Sequence, residues 1–563
     1  MDSLFASEES LTQSERRGVL APPDSIASPH VTQDMRSILV DWMMQVCRAL
    51  KLKPESFFSS VCLLDAMLAR DPSVLREEVQ LYATSCLLLA VKYHEIKPPE
   101  ITDMMYMAGS VYISESIEDA EKRVFKIVGC SANVPEEMAY WKAMSAAYDA
   151  RAPSYVMGKH LLCLLTLRGS RFLPSVVVTA VRWLMSDVYK ELYMDHFEVP
   201  EVVVDACIKD IILTCRFVRG SRLQSHKDLG GQEWLRVLNA VCATEAGDVQ
   251  DSDEEYLRGY HYNPNLTIDL LPPSVVTPGA PQLGQGSFGL VVRVQYLGKM
   301  YAVKKVLFES VDEGVNAEFS REVSIMQSLD HPNIAKVQYM TSDLRCIFMD
   351  LGVSDMDTWI EKQGNAGLEA QVDLARQLLF AIAYMHSNGC LHRDIKTKNI
   401  IVFSEGAVWR VVLSDFGSGR GCQIALKDNS FTQEVGTLWY LCPELLMGTV
   451  SYGPGIDVWG ILCTLYKCAT GKPLFYGDTR LGQLHRIFSV MGTPGENAWP
   501  GVSTLPGYKA ASFPTFERKA RYFSDDLNLS PCYKELLSFG LIVDPARRPT
   551  SARLCEVLRK YLP

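Results

Sequence analysis

The residues that could do chemistry fall between positions 284 and 444. Gly284-Gln285-Gly286-Ser287-Phe288-Gly289-Leu290-Val291 is a G-x-G-x-x-G-x-V string, and glycines at that spacing let a backbone close over phosphate groups. Alone the string is weak, because dinucleotide-binding turns use a related one. Here strand-like residues follow it and no helix begins, which disfavours the dinucleotide reading. Lys304 ends Tyr301-Ala302-Val303-Lys304, and Glu322 stands 18 residues further on in a stretch of helical pattern. Then come His392-Arg393-Asp394-Ile395-Lys396-Thr397-Lys398-Asn399 and, 21 residues past Asp394, Asp415-Phe416-Gly417. Cys442-Pro443-Glu444 closes the series. Lysines, carboxylates and an amide beside a glycine-rich turn suit the charge of a polyphosphate and a hard, oxygen-seeking cation.

Two kinds of patterning must position these groups. From 35 to about 245 the chain reads as helix after helix, with Met35, Ile38, Leu39, Trp42, Met43, Val46 and Leu50 at helical spacing. Further apolar helical runs fall at 79–92, 118–128, 155–167, 173–189 and 201–217, and Pro- or Gly-bearing loops separate them. From about 279, short β-branched runs alternate with Gly (GLVVRVQYLG, KMYAVKKVLF, RCIFMDLG), which predicts strands and hairpins. After 368 helical patterns return. Residues 251–278, acidic first and Pro-rich later, read as a tether.

Composition bounds the partners. A chain of 563 residues holds three to four domain-sized units. With 56 Lys+Arg against 66 Asp+Glu, the net charge of -10 argues against a duplex-nucleic-acid or polybasic membrane binder. At 48% hydrophobic and 22% charged it is a folded chain. No apolar run spans a bilayer, and MDSLFASEES lacks the basic start and apolar core of a signal peptide. Sixteen Cys include no C-x-x-C pair and sit mostly in apolar stretches. They read as reduced core thiols of an intracellular protein, in cytoplasm and/or nucleus.

The ordered set from Gly284 to Glu444 resembles the eukaryotic protein kinases over the whole of 279–563. The resemblance implies roles. Lys304 holds the α- and β-phosphates of ATP and is itself fixed by Glu322; Asn399 and Asp415 ligate Mg2+; Asp394 orients the substrate hydroxyl; Lys396 contacts the transferred phosphate. It also implies an ATP site made of Gly284, Gln285, Gly286, Ser287, Phe288, Gly289, Val291, Ala302, Lys304, Met349, Asp350, Gly352, Asp355 and Ile401.

Within that family, Lys396 in H-R-D-x-K marks the Ser/Thr class, and EGVNAEFSRE (313–322) is similar to the EGVPSTAIRE helix of cyclin-dependent kinases. So are GTLWY-x-x-PELLMG (436–448), IDVWG (456–460) and LHRIFSVMGTP (484–494). The likeness places an activating phosphothreonine at Thr432, received by Arg321, Arg393 and Arg420. There are departures. Ser287-Phe288 replaces the Thr-Tyr pair that inhibitory kinases modify, and Phe288 has no hydroxyl to phosphorylate. Leu441-Cys442 replaces the Arg-Ala whose Arg helps present a Pro-selecting pocket beside Val435 and Gly436, so strict Ser/Thr-Pro preference does not follow.

The helical half resembles the cyclins. Met35-Arg36-Ser37-Ile38-Leu39-Val40-Asp41-Trp42 is similar to the opening of the cyclin box, and CLLLAVKYHEIKPPE (86–100) and AEKRVFKIVG (120–129) to its later helices. FLPSVVVTAVRWLM (172–185) is similar to the start of the second cyclin fold. By that resemblance Lys92 and Glu121 meet the kinase helix and activation segment, and Arg36 and Asp65 form a buried ion pair whose breakage costs about 3–5 kcal/mol. Met35, Ile38, Leu39, Trp42, Gln45, Val79 and Gln80 match a shallow patch that docks R-x-L substrates or cell-cycle inhibitors, although Met and aromatic residues at helical spacing usually pack inward.

The sequence therefore predicts a multidomain chain, an all-α cyclin fold of two helical repeats followed by an α+β bilobal kinase fold. The expected parts are an extension (1–30), two cyclin folds (31–130 and 131–250), a linker (251–278) and kinase lobes (279–352 and 353–563). A 28-residue tether reaches at most about 90–100 Å, and as a coil about 30 Å. It would hold the halves at roughly mM effective concentration. The expected partners are ATP, protein Ser/Thr substrates and the chain's own other half. In the rival reading the cyclin half captures a separate kinase in trans and the kinase half is a scaffold or substrate decoy. A kinase that escapes both cyclin turnover and tyrosine inhibition would suit a virus reprogramming a host cell cycle.

Overall fold

The computed structural model describes residues 26–95, 97–132, scattered positions between 161 and 214, and most of 268–562. The expected second cyclin fold therefore lies almost wholly outside the described residues, as do 251–267, Ser287, Phe288, 307–313 and 422–437. The chain divides into two compact units, Met1–Ile268 with Phe308–Ser320, and Asp269–Leu307 with Arg321–Pro563.

The described part of the first unit is helical. Helix α1 (Gln33–Ala49) starts where the Thr32 side chain accepts from the Met35 amide, with Asp34 in its first turn and Arg48 in its last. Its inner face is Arg36, Ser37, Val40, Asp41, Met43, Met44, Val46 and Cys47. The inward stripe is thus rotated from the apolar spacing of the sequence, leaving Ile38 61% exposed. A polar pair explains the rotation. Arg36, 1% exposed, binds both Asp65 oxygens at 2.6 and 2.7 Å and reaches the Thr166 carbonyl at 3.2 Å. Asp65 stands on α2 (Pro54–Arg70), which opens on Pro54 and buries Phe57, Phe58, Leu63 and Leu64. Helix α3 (Val79–His94) is apolar nearly all round and forms the centre of the unit. The short α4 (Ile101–Met107) leads to α5 (Ser114–Ile127), whose buried stripe is Ile117, Glu118, Ala120, Glu121, Val124 and Phe125.

The second unit begins earlier than the sequence suggests. In chain order its strands are β1 (Leu270–Leu271), β2 (Gln282–Gly286), β3 (Gly289–Tyr296), β4 (Lys299–Val306), β5 (Tyr339–Thr341) and β6 (Cys346–Asp350), with helix α6 (Ala317–Ser328) between β4 and β5. They form one six-stranded sheet in the order β1-β5-β6-β4-β3-β2. Strand β1 pairs parallel to β5, Leu270 opposite Met340 and Leu271 opposite Thr341. Leu271 and Val276 join the core with Val292, Val294, Tyr301, Val303 and Phe348. Residues 269–277 of the expected linker therefore form a strap on the sheet. The reason is physical: Leu271 and Val276 are buried there, and the segment pairs an edge otherwise left open.

After β7 (Ser354–Asp355) come α7 (Met356–Gln363) and α8 (Leu368–Ser387), then β8 (Cys390–Leu391), β9 (Ile400–Glu405), β10 (Val408–Leu413) and β11 (Arg420–Gly421). β7, β9 and β10 form a second sheet, and β8 pairs with β11. α9 (Pro443–Leu446), α10 (Gly455–Thr470), α11 (Arg480–Met491), α12 (Pro506–Lys509), α13 (Pro531–Gly540) and α14 (Ser551–Arg559) complete the chain. α10 is buried along most of its length and carries Trp459 at 0% exposure. The described cysteines are free thiols, all buried except the half-buried Cys62, and burial pushes Cys390 and Cys468 up to about 12. Among the described residues no helix is long and apolar enough to cross a membrane.

Candidate active site and helix clasp

Strand β4 places Lys304 opposite Val291 on one side and Ile347 on the other. Its ammonium donates to both Glu322 oxygens, at 2.7 and 2.8 Å, and to Asp415 Oδ1 at 2.8 Å. Burial works against the Lys304 charge, but the Glu322 and Asp415 carboxylates outweigh it and hold its pKa well above the usual lysine range. Burial likewise opposes the Asp415 charge, and Lys304 more than compensates, keeping that carboxyl below its ordinary value. Asp415 takes a positive φ of 65°, a strained backbone typical of residues held for function.

The 3-10 turn Thr397–Asn399 organises the second cluster. Asp394 accepts from Lys396 Nζ at 2.6 Å and from Asn399 Nδ2 at 3.1 Å, while that amide also reaches the Asp394 carbonyl at 2.8 Å. The Ser414 amide donates to the Asn399 carbonyl at 2.8 Å, tying this turn to Asp415 next in chain.

A cavity of about 1110 Å3 opens onto both clusters and contains Lys304, Glu322, Lys396, Asn399 and Asp415 in its wall. Of the residues expected to hold the nucleotide, Gly284, Gly289, Val291, Ala302, Met349, Asp350, Gly352, Asp355 and Ile401 also line it. Gln285 and Gly286 are described only as strand backbone, and Ser287 and Phe288 lie outside the described residues. Gly289 has no room for more: a Cβ there would sit 2.2 Å from the Lys305 carbonyl oxygen. Asp394 does not line the cavity itself; it is held behind Lys396 and Asn399.

The activation residues are less complete. Thr432 lies outside the described residues with Val435 and Gly436, and the Arg420 side chain is not described. Arg393 is 6% exposed at a φ of 72°, its guanidinium 5.6 Å from the Tyr452 ring centre. Leu441 and Cys442 are buried, and Glu444 is fixed by a buried ion pair with Arg548 at 2.6 Å.

Sequence reasoning gave Asp457 no role, although its string IDVWG was visible. Its carboxylate accepts from the His392 and Arg393 amides, both at 2.8 Å, and sits 3.0 Å from His386 Nε2. It thus pins the backbone that leads into Asp394. Burial opposes its charge, but the His386 hydrogen bond and these neighbours hold the pKa below its ordinary 3.8. A depressed carboxylate stabilises the fold above its ordinary pKa and loses that contribution as pH falls through the folded value. Asp457→Asn is therefore expected to cost about 2–3 kcal/mol at pH 7. Urea melts at pH 7 and at successively lower pH below 4 check it: the gap between variant and wild type narrows on acidification.

In the first unit, Glu121 (0% exposed) and Lys92 form an ion pair at 2.8 Å. Between them they hold one residue of the segment leading into α6: the Val315 amide donates to Glu121 Oε2 at 2.9 Å, and Lys92 Nζ donates to the Val315 carbonyl at 2.8 Å. Burial pushes the Glu121 carboxyl up, with Lys92 only partly offsetting it. Of the expected docking patch, Ile38 and Gln45 are exposed and Met35, Leu39, Trp42 and Gln80 are half-buried. Val79 is 2% exposed and faces the core at the start of α3, so the expectation that it offers surface does not hold.

A family model described as the protein kinase domain matches residues 279–560, and one described as the cyclin N-terminal domain matches residues 7–132. The chain belongs to the protein kinase family and carries a cyclin N-terminal domain ahead of its kinase domain. A kinase domain implies ATP as phosphate donor and a protein as acceptor.

Proposed function

We propose that this chain is a cyclin-dependent-class Ser/Thr kinase fused to its own activating cyclin, and that it drives the cell cycle by phosphorylating proteins. The observation that carries the reading is the Lys92–Glu121 hold on Val315, which leads into the same helix that bears Glu322 and hence fixes Lys304. Lys304 would bind the α- and β-phosphates, Lys396 the transferred phosphoryl, and Asp394 would orient the acceptor hydroxyl. Lys396 in the H-R-D-x-K string supports Ser/Thr acceptors. Met35, Ile38, Leu39 and Trp42 would dock R-x-L segments, and Arg321, Arg393 and Arg420 would receive a phosphate on Thr432.

The residues present fit a divalent cation. Asn399 spends its amide hydrogens on Asp394, leaving Oδ1 as acceptor, and Asp415 keeps a charged carboxylate in the cavity wall. Both are hard oxygen donors of the kind Mg2+ takes. When bound, the ion would neutralise phosphate charge.

The test is transfer of the γ-phosphate of ATP to a histone-type substrate by the purified full chain with no partner added. Phosphoserine or phosphothreonine in the product, lost in Asp394→Asn, is the expected result. A chain with phosphorylated Thr432 that transfers nothing sinks the fused-enzyme reading.

A further inference from the structure

Behind the catalytic turn, four polar side chains from four separate elements form one continuous chain of hydrogen bonds, and none of the roles above uses it. Thr397 follows Lys396 directly and is 1% exposed. Its hydroxyl donates to Asp357 Oδ1 on α7 at 2.9 Å and stands 2.9 Å from the Tyr440 hydroxyl. A threonine hydroxyl has a single proton. With that proton given to Asp357, Tyr440 must be the donor in the second bond. Lys467 on α10 then ion-pairs with the same Asp357 oxygen. The chain thus runs in one sense, Tyr440 to Thr397 to Asp357, and closes on an ammonium.

Burial pushes the Tyr440 hydroxyl up, with the Thr397 hydrogen bond and the Lys467 charge only partly offsetting it. Burial opposes the Lys467 charge, but its hydrogen bond to Asp357 and the nearby Tyr440 and Asp357 groups outweigh that and raise it. Aligned hydrogen bonds in a low-dielectric setting polarise one another.

We propose that Thr397 is a positioning residue for phosphoryl transfer, holding the catalytic turn in register through Asp357, Tyr440 and Lys467. The placement is specific. Thr397 opens the 3-10 turn, flanked by Lys396, which binds Asp394 at 2.6 Å, and followed by Asn399, which binds it at 3.1 Å. The Asn399 amide bonds back to the Lys396 carbonyl at 3.0 Å, so the turn moves as one piece. The turn's own bonds fix Asp394 relative to Lys396 and Asn399, and Asp457 on α10 holds the backbone before Asp394. The Thr397 hydroxyl adds the side-chain hold on the turn itself, reaching α7 on one side and the Leu438–Tyr440 turn on the other. Small misplacement of reacting groups costs rate far more than it costs binding. Val291, Ala302 and Met349, in the same cavity wall, lie on strands that this chain of bonds does not touch; Asp357 itself lines the cavity two residues from Asp355, so the effect on ATP is read in Thr397→Val, which leaves Asp357 in place.

This inference rests on the proposed catalytic assignment of Asp394 and Lys396, and the experiment separates the two. Full-length Thr397→Val, Thr397→Ser, Asp357→Asn and the Thr397→Val/Asp357→Asn double variant are assayed with ATP and the histone-type substrate, with Asp394→Asn alongside. Valine keeps the shape and removes the hydroxyl. The expected result is a roughly tenfold lower kcat in Thr397→Val with KM for ATP within about twofold. Thr397→Ser recovers most of the loss, and the double variant is no slower than the slower single one. Wild-type kcat in Thr397→Val overturns the proposal. So does a loss that Thr397→Ser does not recover and that follows a fall in melting temperature, since that is a packing effect. Transfer that survives Asp394→Asn would place the failure in the catalytic assignment instead.

Discussion

Lys304→Met is expected to lower phosphoryl transfer by about 10²–10³-fold, as loss of one preorganised charge at a reacting centre does. It should also destabilise the kinase unit. Lys304 joins two carboxylates, and Glu322 is only 3% exposed. Deleting the ammonium takes the lysine partner from a buried carboxylate, a change that costs about 3–5 kcal/mol. Adding Glu322→Gln removes that buried charge. The double variant should therefore melt above Lys304→Met and remain as inactive. Differential scanning calorimetry with a transfer assay on the same preparations reads both arms. Recovery of activity together with stability would mean that Lys304 is structural and does not hold phosphate.

The difference between what could and could not be read from the sequence is one of range. Lys304, Glu322, Asp394, Lys396, Asn399 and Asp415 each sit in a short string whose spacing is itself the signal, and the fold gathers them into two clusters of 2.6–3.1 Å contacts. The described helices of the first unit follow the period, with one distortion: helical spacing groups Ile38 with Met43 and Val46, yet the buried Arg36–Asp65 pair lies on the inner face and Ile38 is exposed. The strap Leu270–Leu271 was not legible. A two-residue strand has no period, and its partner lies some 70 residues away at Met340 and Thr341. Pro272 and Pro273 also argued for a tether. Thr397 and Lys467 were invisible for a third reason: a lone polar residue in a motif or an apolar helix acquires a role only through partners 40 and 110 residues distant. Asp457 is intermediate, its string recognised and its hydrogen bonds unguessed.

Gly314→Ala tests whether the Lys92–Glu121 hold on Val315 matters for phosphoryl transfer. Gly314 has a positive φ of 31°, and a Cβ built on it would lie 2.0 Å from Glu121 Oε2. That oxygen is the one that accepts from the Val315 amide at 2.9 Å and from Lys92 at 2.9 Å. A single methyl group must therefore displace the carboxylate on which the whole clasp depends. If the clasp sets the position of α6, Glu322 moves with it and Lys304 loses its register. Transfer should then fall by about 10–100-fold, a cost of the size expected for a misplaced catalytic group. The loss has a signature that backbone strain alone does not. Glu121→Ala removes the same hydrogen bonds without touching Gly314, so the two substitutions together should cost little more than either alone. Steady-state rates for the two single variants and the double variant give the coupling directly. Additive losses would show that Gly314 acts by local strain. Full activity in both single variants would separate the Lys92–Glu121 clasp from activation and turn the cyclin half toward a kinase in trans.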